Sequence, residues 1–150
     1  MTQQIRYFLT VFTLLALVSP SLTSAKELTL SQIAKNRSIA MKEMAFGMKS
    51  LSAILRGRED FSTDKVKAVL AVIEQRAIET PALFALNVTI PTSDAGSEIW
   101  QEFDDFIKKA SDLERVSHEL SSSIETKEHL AEALKALGAT CKSCHMKYRN

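Results

Sequence analysis

The chain has 150 residues, 45% of them hydrophobic and 25% charged, with 19 basic against 18 acidic side chains. That length fits a single domain, and a near-neutral balance without a basic run leaves no electrostatic footprint for nucleic acid or an anionic membrane surface. Both are excluded as main partners.

The first 25 residues hold no acid, one base at Arg6, and a twelve-residue apolar run from Tyr7 to Val18 closed by Pro20. This is the layout of a secretory signal peptide, with small Thr23 and Ala25 at the minus-three and minus-one places, so cleavage is expected before Lys26. The run is too short for a membrane anchor, which needs roughly 20 apolar residues. Cleavage removes Arg6 and no acid, leaving a mature domain, residues 26–150, with a formal balance of zero. A domain of this size needs no disulfide to fold, so its two cysteines call for another explanation.

Leu30, Ile33, Arg37, Met41, Met44, Met48, Leu51 and Leu55 recur at steps of three and four and predict a first helix over about 30–56. Thr29 or Ser31 can cap its start, and Gly57 suits its end. Ser62 and Thr63 then offer a cap to a second stripe of Val66, Val69, Leu70, Ile73 and Ala77, expected to stop before Pro81. From Thr80 to Gly96 the prolines, Asn87 and polar residues mix with Leu83, Phe84, Leu86, Val88 and Ile90 without helical period, which reads as a long, partly buried crossover loop.

Ser97 is expected to cap a third helix reaching about residue 122, with Trp100, Phe103, Phe106, Ile107, Ala110, Leu113, Ser117 and Leu120 on its apolar face. Thr126 is expected to cap a fourth, whose stripe of Leu130, Leu134, Leu137, Cys141, Cys144 and Tyr148 runs to the chain end. Four amphipathic helices of about 20 residues must bury their stripes on one another, and the economical solution is an all-α antiparallel four-helix bundle. Only Ala85 to Ile90 hints at strand alternation.

Cys141-Lys142-Ser143-Cys144-His145 carries the chemistry. The pattern C-x-x-C-H is that of c-type haem attachment. On a helix the two thiols and the imidazole share one face, with Cβ atoms about 5–6 Å apart, so one flat ligand can meet all three. The thiols can add to the two vinyl groups of a porphyrin edge while His145 reaches the iron. Export would otherwise favour a disulfide, but a redox-active pair belongs at a helix N-terminus and this one lies at the opposite pole. Structural zinc wants four ligands, and His118 and His129 have no evident pairing with Cys141.

With four helices and this motif six residues from the end, the chain resembles the cytochrome c′ family, the class II c-type cytochromes. Tyr148-Arg149 after the haem histidine, Arg37 in the first helix and Ile99-Trp100 opening the third match family positions. The resemblance implies a periplasmic protein with one covalent haem c, Arg37 near the haem propionates and Arg149 near the proximal histidine. It allows a homodimer, for which Ile39 and Phe46 are spare apolar residues.

In some members of the family a methionine of the first helix is the sixth ligand; in others that face is left open to small gases. Met41, four residues after Arg37, is the expected distal ligand, with Met44 next, giving the His/Met pair of electron-transfer cytochromes. The alternative is a five-coordinate protein binding nitric oxide or carbon monoxide, with Met41, Met44 and Met48 as flexible core fillers. No catalytic acid–base pair is apparent, so no enzyme is expected; Asp104-Asp105 and Glu114-Arg115 read as solvated. The redox partner proteins are left unidentified.

Overall fold

A computed structural model of the chain describes residues 29–150. The signal peptide and the cleavage point before Lys26 lie outside the described residues. The described residues form α1 (Leu30–Leu55), α2 (Thr63–Phe84), the single turn α3 (Glu98–Gln101), α4 (Phe103–Ser123) and α5 (His129–Tyr148). The four long helices make the antiparallel bundle expected from the apolar stripes.

Thr29 caps α1, its hydroxyl accepting from Gln32 N at 3.2 Å. At the other end Gly57 adopts a left-handed φ of +70°, which lets the next amides fold back, Gly57 N onto Ile54 O and Arg58 N onto Ala53 O. The last carbonyls are thereby satisfied. Ala40, Met44, Gly47, Leu51 and Ile54 are buried along the inner face. Gly47 permits close approach of α2: a Cβ there would sit 3.1 Å from Ile73 Cγ1 and 3.2 Å from Val69 Cγ1.

Pro81 does not end α2, contrary to expectation; the helix passes through it to Phe84. Proline forfeits one backbone donor and normally breaks a helix interior. Here only one turn remains, and its carbonyls are claimed from outside: Arg37 Nε donates to Leu83 O at 2.9 Å and Trp100 Nε1 to Phe84 O at 2.8 Å. Burial of Phe84 adds an apolar anchor. The crossover loop is correspondingly shorter than read from sequence.

The third helix also differs from expectation. Ser97 provides no side-chain cap, and the segment splits at Glu102, whose backbone leaves helical geometry at φ −129°, ψ 49°. The turn α3 is tethered by Trp100 to α2, and the residues before it by backbone pairing with the chain end, Gly96 N to Tyr148 O and Asn150 N to Asp94 O, both 2.9 Å. The chain must therefore reorient at Glu102 to enter the bundle as α4. Thr126 likewise lies outside α5, whose N-cap is Glu128; its hydroxyl instead holds the Glu128 carboxyl below the usual range.

Two buried clusters fill the bundle. One is aliphatic, with Leu51, Ile54, Val66, Leu70, Ile73, Leu130 and Leu137 fully enclosed. The other is aromatic, where Phe84 meets Phe106 at 5.2 Å between centroids and Phe106 meets Tyr148 edge-on at 5.3 Å. Such tilted and edge-on rings add to the burial energy of their areas.

A haem cradle between α1 and α5

Between the two clusters lies a cavity of about 270 Å³. Helix α5 contributes Thr140, Cys141, Cys144 and His145; α1 contributes Met41, Met44, Ala45 and Met48; α2 and α4 close the far side. Cys141 packs on the aliphatic cluster and Cys144 on the aromatic one, while Met41 touches both. The helical spacing of the C-x-x-C-H motif thus sets all three of its side chains along one wall, as the sequence reading required.

The space exists because small residues stand where a bundle layer would ordinarily pack leucine. Ala45, Ala77 and Ala110, from three helices, face the cavity, and larger side chains at these positions would fill it. The two hydroxyls in the wall are already spent, Thr80 on Arg76 O and Thr140 on Leu137 O, each at 2.7 Å. What remains is apolar surface, thioethers, Lys109, two thiols and one imidazole. Only the alanines at 77 and 110 were visible on the helix stripes; nothing in the sequence marked Lys109.

Both thiols are free and half-buried. Burial pushes Cys141 up from the ordinary thiol value and Cys144 up to about 11, so neither is the activated thiolate of a dithiol oxidoreductase. Burial, and secondarily the charge of Arg149, lowers His145, which favours the neutral imidazole that a metal ligand requires. His118 and His129 are elsewhere: His118 Nδ1 lies 3.1 Å from Glu74, and His129 Nδ1 accepts from Glu125 N at 3.5 Å. A metal site combining either with the cysteines is not formed.

Arg37 does not line this cavity. It is buried, at 3% exposure, and its guanidinium donates to three backbone carbonyls: Leu83 O at 2.9 Å, Leu86 O at 2.6 Å and Val88 O at 2.6 Å. It also lies over the rings of Phe84, at 4.7 Å, and Trp100, at 5.4 Å. Its position on an apolar stripe is therefore explained by a clamp on the end of α2 and the crossover loop. Arg149 pairs with Asp94 at 2.8 Å.

The end of α5 is fixed by a polar group at the bundle rim. Tyr148 OH donates to Asp105 at 2.6 Å, and Lys147 pairs with Glu102 at 2.7 Å and Asp105 at 3.1 Å. Tyr148 and then Lys147 hold the Asp105 carboxyl below its usual range, and burial followed by this bond pushes the Tyr148 phenol up to about 12. These contacts set the rotation of α5 one turn beyond His145.

A small-residue cradle facing paired thiols and an imidazole fits a flat, covalently held macrocycle, and together with the bundle it defines the protein as a four-helix haem c cytochrome. Comparison with known proteins gives the family. Residues 32–149 match the family described as Cytochrome C′. A cytochrome c-556 of Agrobacterium tumefaciens (strain B2A) is 36% identical over 110 residues, covering 73% of this chain and 89% of that one. Among solved structures, cytochrome c′ from Rhodopseudomonas palustris superposes with a TM-score of 0.74 at 25% identity, covering 79% of this chain and 95% of that one. The nitric oxide complex of a single-residue mutant of cytochrome c prime from Alcaligenes xylosoxidans superposes with a TM-score of 0.71 at 24% identity, covering 81% and 97%. The chain belongs to the cytochrome c′ family, and it carries one haem c attached through Cys141 and Cys144. Among the described residues no helix is long and apolar enough to cross a membrane.

Proposed function

We propose that the protein is a periplasmic electron-transfer cytochrome, exported by residues 1–25, whose haem iron is held between His145 and Met41. The observation that carries this reading is the position of Met41. It lines the same cavity as His145 from the neighbouring helix α1, half-buried, and it packs against both the aliphatic and the aromatic clusters. Contact on both sides restrains an otherwise flexible thioether.

When bound, haem c supplies one-electron chemistry at its iron. The residues of the chain do the rest. Cys141 and Cys144 tether the group, His145 offers a neutral nitrogen, and the methionine and alanine wall excludes water. The Met41 thioether would serve as the second protein ligand to the iron, which would raise the reduction potential and exclude a diatomic gas. Met44, buried deeper on the same wall, is the next candidate for that role.

Gas binding is the second reading. It draws on the apolar lining of the cavity and on the structural neighbour solved with nitric oxide. The deciding experiment is an optical spectrum of the matured protein, oxidised and reduced, with and without carbon monoxide. Low-spin bands, a far-red methionine-to-iron band lost in Met41→Ala, and no response to carbon monoxide support electron transfer. High-spin bands that shift with carbon monoxide overturn Met41 ligation in favour of gas binding.

A further inference from the structure

The zero balance of the mature chain conceals a segregation of charge by helix. Helix α1 carries Lys35, Arg37, Lys42 and Lys49 against Glu43 alone, and α5 carries Lys135, Lys142 and Lys147 against Glu132 alone. Helix α4 is the reverse, with Asp104, Asp105, Asp112, Glu114 and Glu119 against Lys108, Lys109 and Arg115. The two basic helices are neighbours, and the cavity that holds the C-x-x-C-H motif lies on the seam between them.

Ion pairing sharpens the contrast. Most cations on the other faces are neutralised: Lys65 by Glu59, Arg76 by Glu43 and Glu79, Lys108 by Asp112, Arg115 by Glu119. Among the described residues, Lys35, Lys42, Lys49, Arg56, Arg58, Lys67, Lys135 and Lys142 are exposed and form no ion pair, and all but Lys67 lie on α1, just after it, or on α5. Lys42 and Lys49 flank Ala45 at helical spacing, and Lys135 and Lys142 share the face of α5 that carries His145.

The seam also has shape. A second, open groove of about 610 Å³ runs along it, lined by Met48, Lys49, Ser52, Ala53, Arg56, Arg58 and Leu134. Met48 lines both this groove and the cavity, so the two are adjacent. The groove offers an apolar floor, three cations and no carboxylate.

We propose that the α1–α5 seam, from the His145 cavity to the Lys49–Arg56–Arg58 groove, is the docking face for the protein's electron-exchange partner, and that this partner presents an acidic protein surface. The proposal rests on the electron-transfer reading above. Unpaired cations of one sign steer an oppositely charged partner and fix its orientation, while the net neutral charge suppresses attraction elsewhere. An apolar floor ringed by cations is the arrangement of an interface core with its polar rim.

The test uses the matured, haem-loaded protein and a fluorescent poly-glutamate peptide, with binding followed by anisotropy. Affinity is expected to fall about tenfold or more as ionic strength rises from about 0.01 to 0.15 M, where the Debye length shrinks from roughly 30 to 8 Å. Lys49→Glu/Arg56→Glu/Arg58→Glu is expected to lose at least about tenfold in affinity at low salt, while Lys67→Glu, an exposed and unpaired cation on α2, changes it less than about twofold. All four residues are exposed, and a second variant, Lys135→Gln/Lys142→Gln, guards against a folding defect in the first. Equal losses in the groove and Lys67 variants, or no salt-dependent binding, overturn the proposal. Tighter binding to vesicles containing anionic lipid, abolished by the same groove substitutions, overturns it in favour of a membrane surface. Absence of the far-red methionine band from the unsubstituted protein, with salt-dependent peptide binding intact, sinks the ligation reading and leaves the docking face standing; a far-red band with no such binding sinks the docking face and leaves the ligation reading.

Discussion

Replacing Arg37 with methionine removes the clamp on the crossover loop while keeping most of the buried volume. Three carbonyls, of Leu83, Leu86 and Val88, lose their donor at once. A hydrogen bond to a charged group contributes about 1.5–3 kcal/mol, so the gross loss is several times that of an ordinary side-chain contact. Part of it returns, because a guanidinium taken out of water costs several kcal/mol and the variant no longer buries one. Burial lowers the Arg37 pKa, which is the same cost seen from the titration side. The net expectation is a loss of about 3–5 kcal/mol, or roughly 10–20 °C in Tm for a domain of this size. Arg37→Lys recovers less than half, since one ammonium cannot serve three converging carbonyls. Thermal unfolding followed by circular dichroism measures the loss, and hydrogen exchange locates it: amides from Leu86 to Ser93 are expected to exchange faster while those of α1 keep their protection. A loss below about 1 kcal/mol, or unchanged loop exchange accompanied by an altered haem spectrum, refutes the clamp and assigns the guanidinium to the haem instead.

Gly47→Ala gains about 1 kcal/mol of helix propensity but forces a methyl to 3.1 Å from Ile73, and the overpacking is expected to win by about 1 kcal/mol in urea denaturation. Asp105 has its folded pKa lowered by Tyr148 and Lys147, so it stabilises the fold above the unfolded value of about 3.9, and that contribution disappears as pH falls through the lower folded value. Asp105→Asn is therefore expected to be less stable than the parent at neutral pH and to show a flatter acid limb in a stability-against-pH series. Cys144→Ser leaves a single tether at Cys141, so haem stain persists on a denaturing gel; Cys141→Ser/Cys144→Ser abolishes it. Stain retained by the double variant would sink covalent attachment through this pair.

Helix content and order were legible because burial is periodic: the expected first helix, about 30–56, is α1 at Leu30–Leu55. Boundaries were legible only where a local rule acted alone. Thr29 caps α1 as residue type and position suggest, whereas Ser97 and Thr126 do not cap, because distant contacts set the path of the chain there. Pro81 shows the same competition. Its local effect is to stop a helix, but Arg37, 44 positions earlier, and Trp100, 19 positions later, satisfy the carbonyls that would otherwise favour termination. A single sequence carries no trace of such pairings. The split at Glu102 follows from the bridge between Ala95 and Arg149, which joins the loop to the far end of the chain.

The site divides in the same way. Cys141, Cys144 and His145 converge because helical geometry alone brings them together, and no tertiary information was needed. Arg37 was visible as an anomaly on an apolar stripe, but two of its three carbonyl partners, Leu86 and Val88, lie on a loop without period, so its contacts could not be read. Charge was the least legible of all. Counted along the chain, acids and bases nearly cancel and no basic run appears; folding then sets α1 beside α5 and leaves most of their exposed lysines unpaired, while four of the six cations on α2 and α4 find a carboxylate nearby. A steering field depends on which helices become neighbours, and that is decided by the apolar stripes on their opposite faces. The residues that hold the haem and those that would orient a partner are thus placed by the same packing, although only the first group leaves a motif.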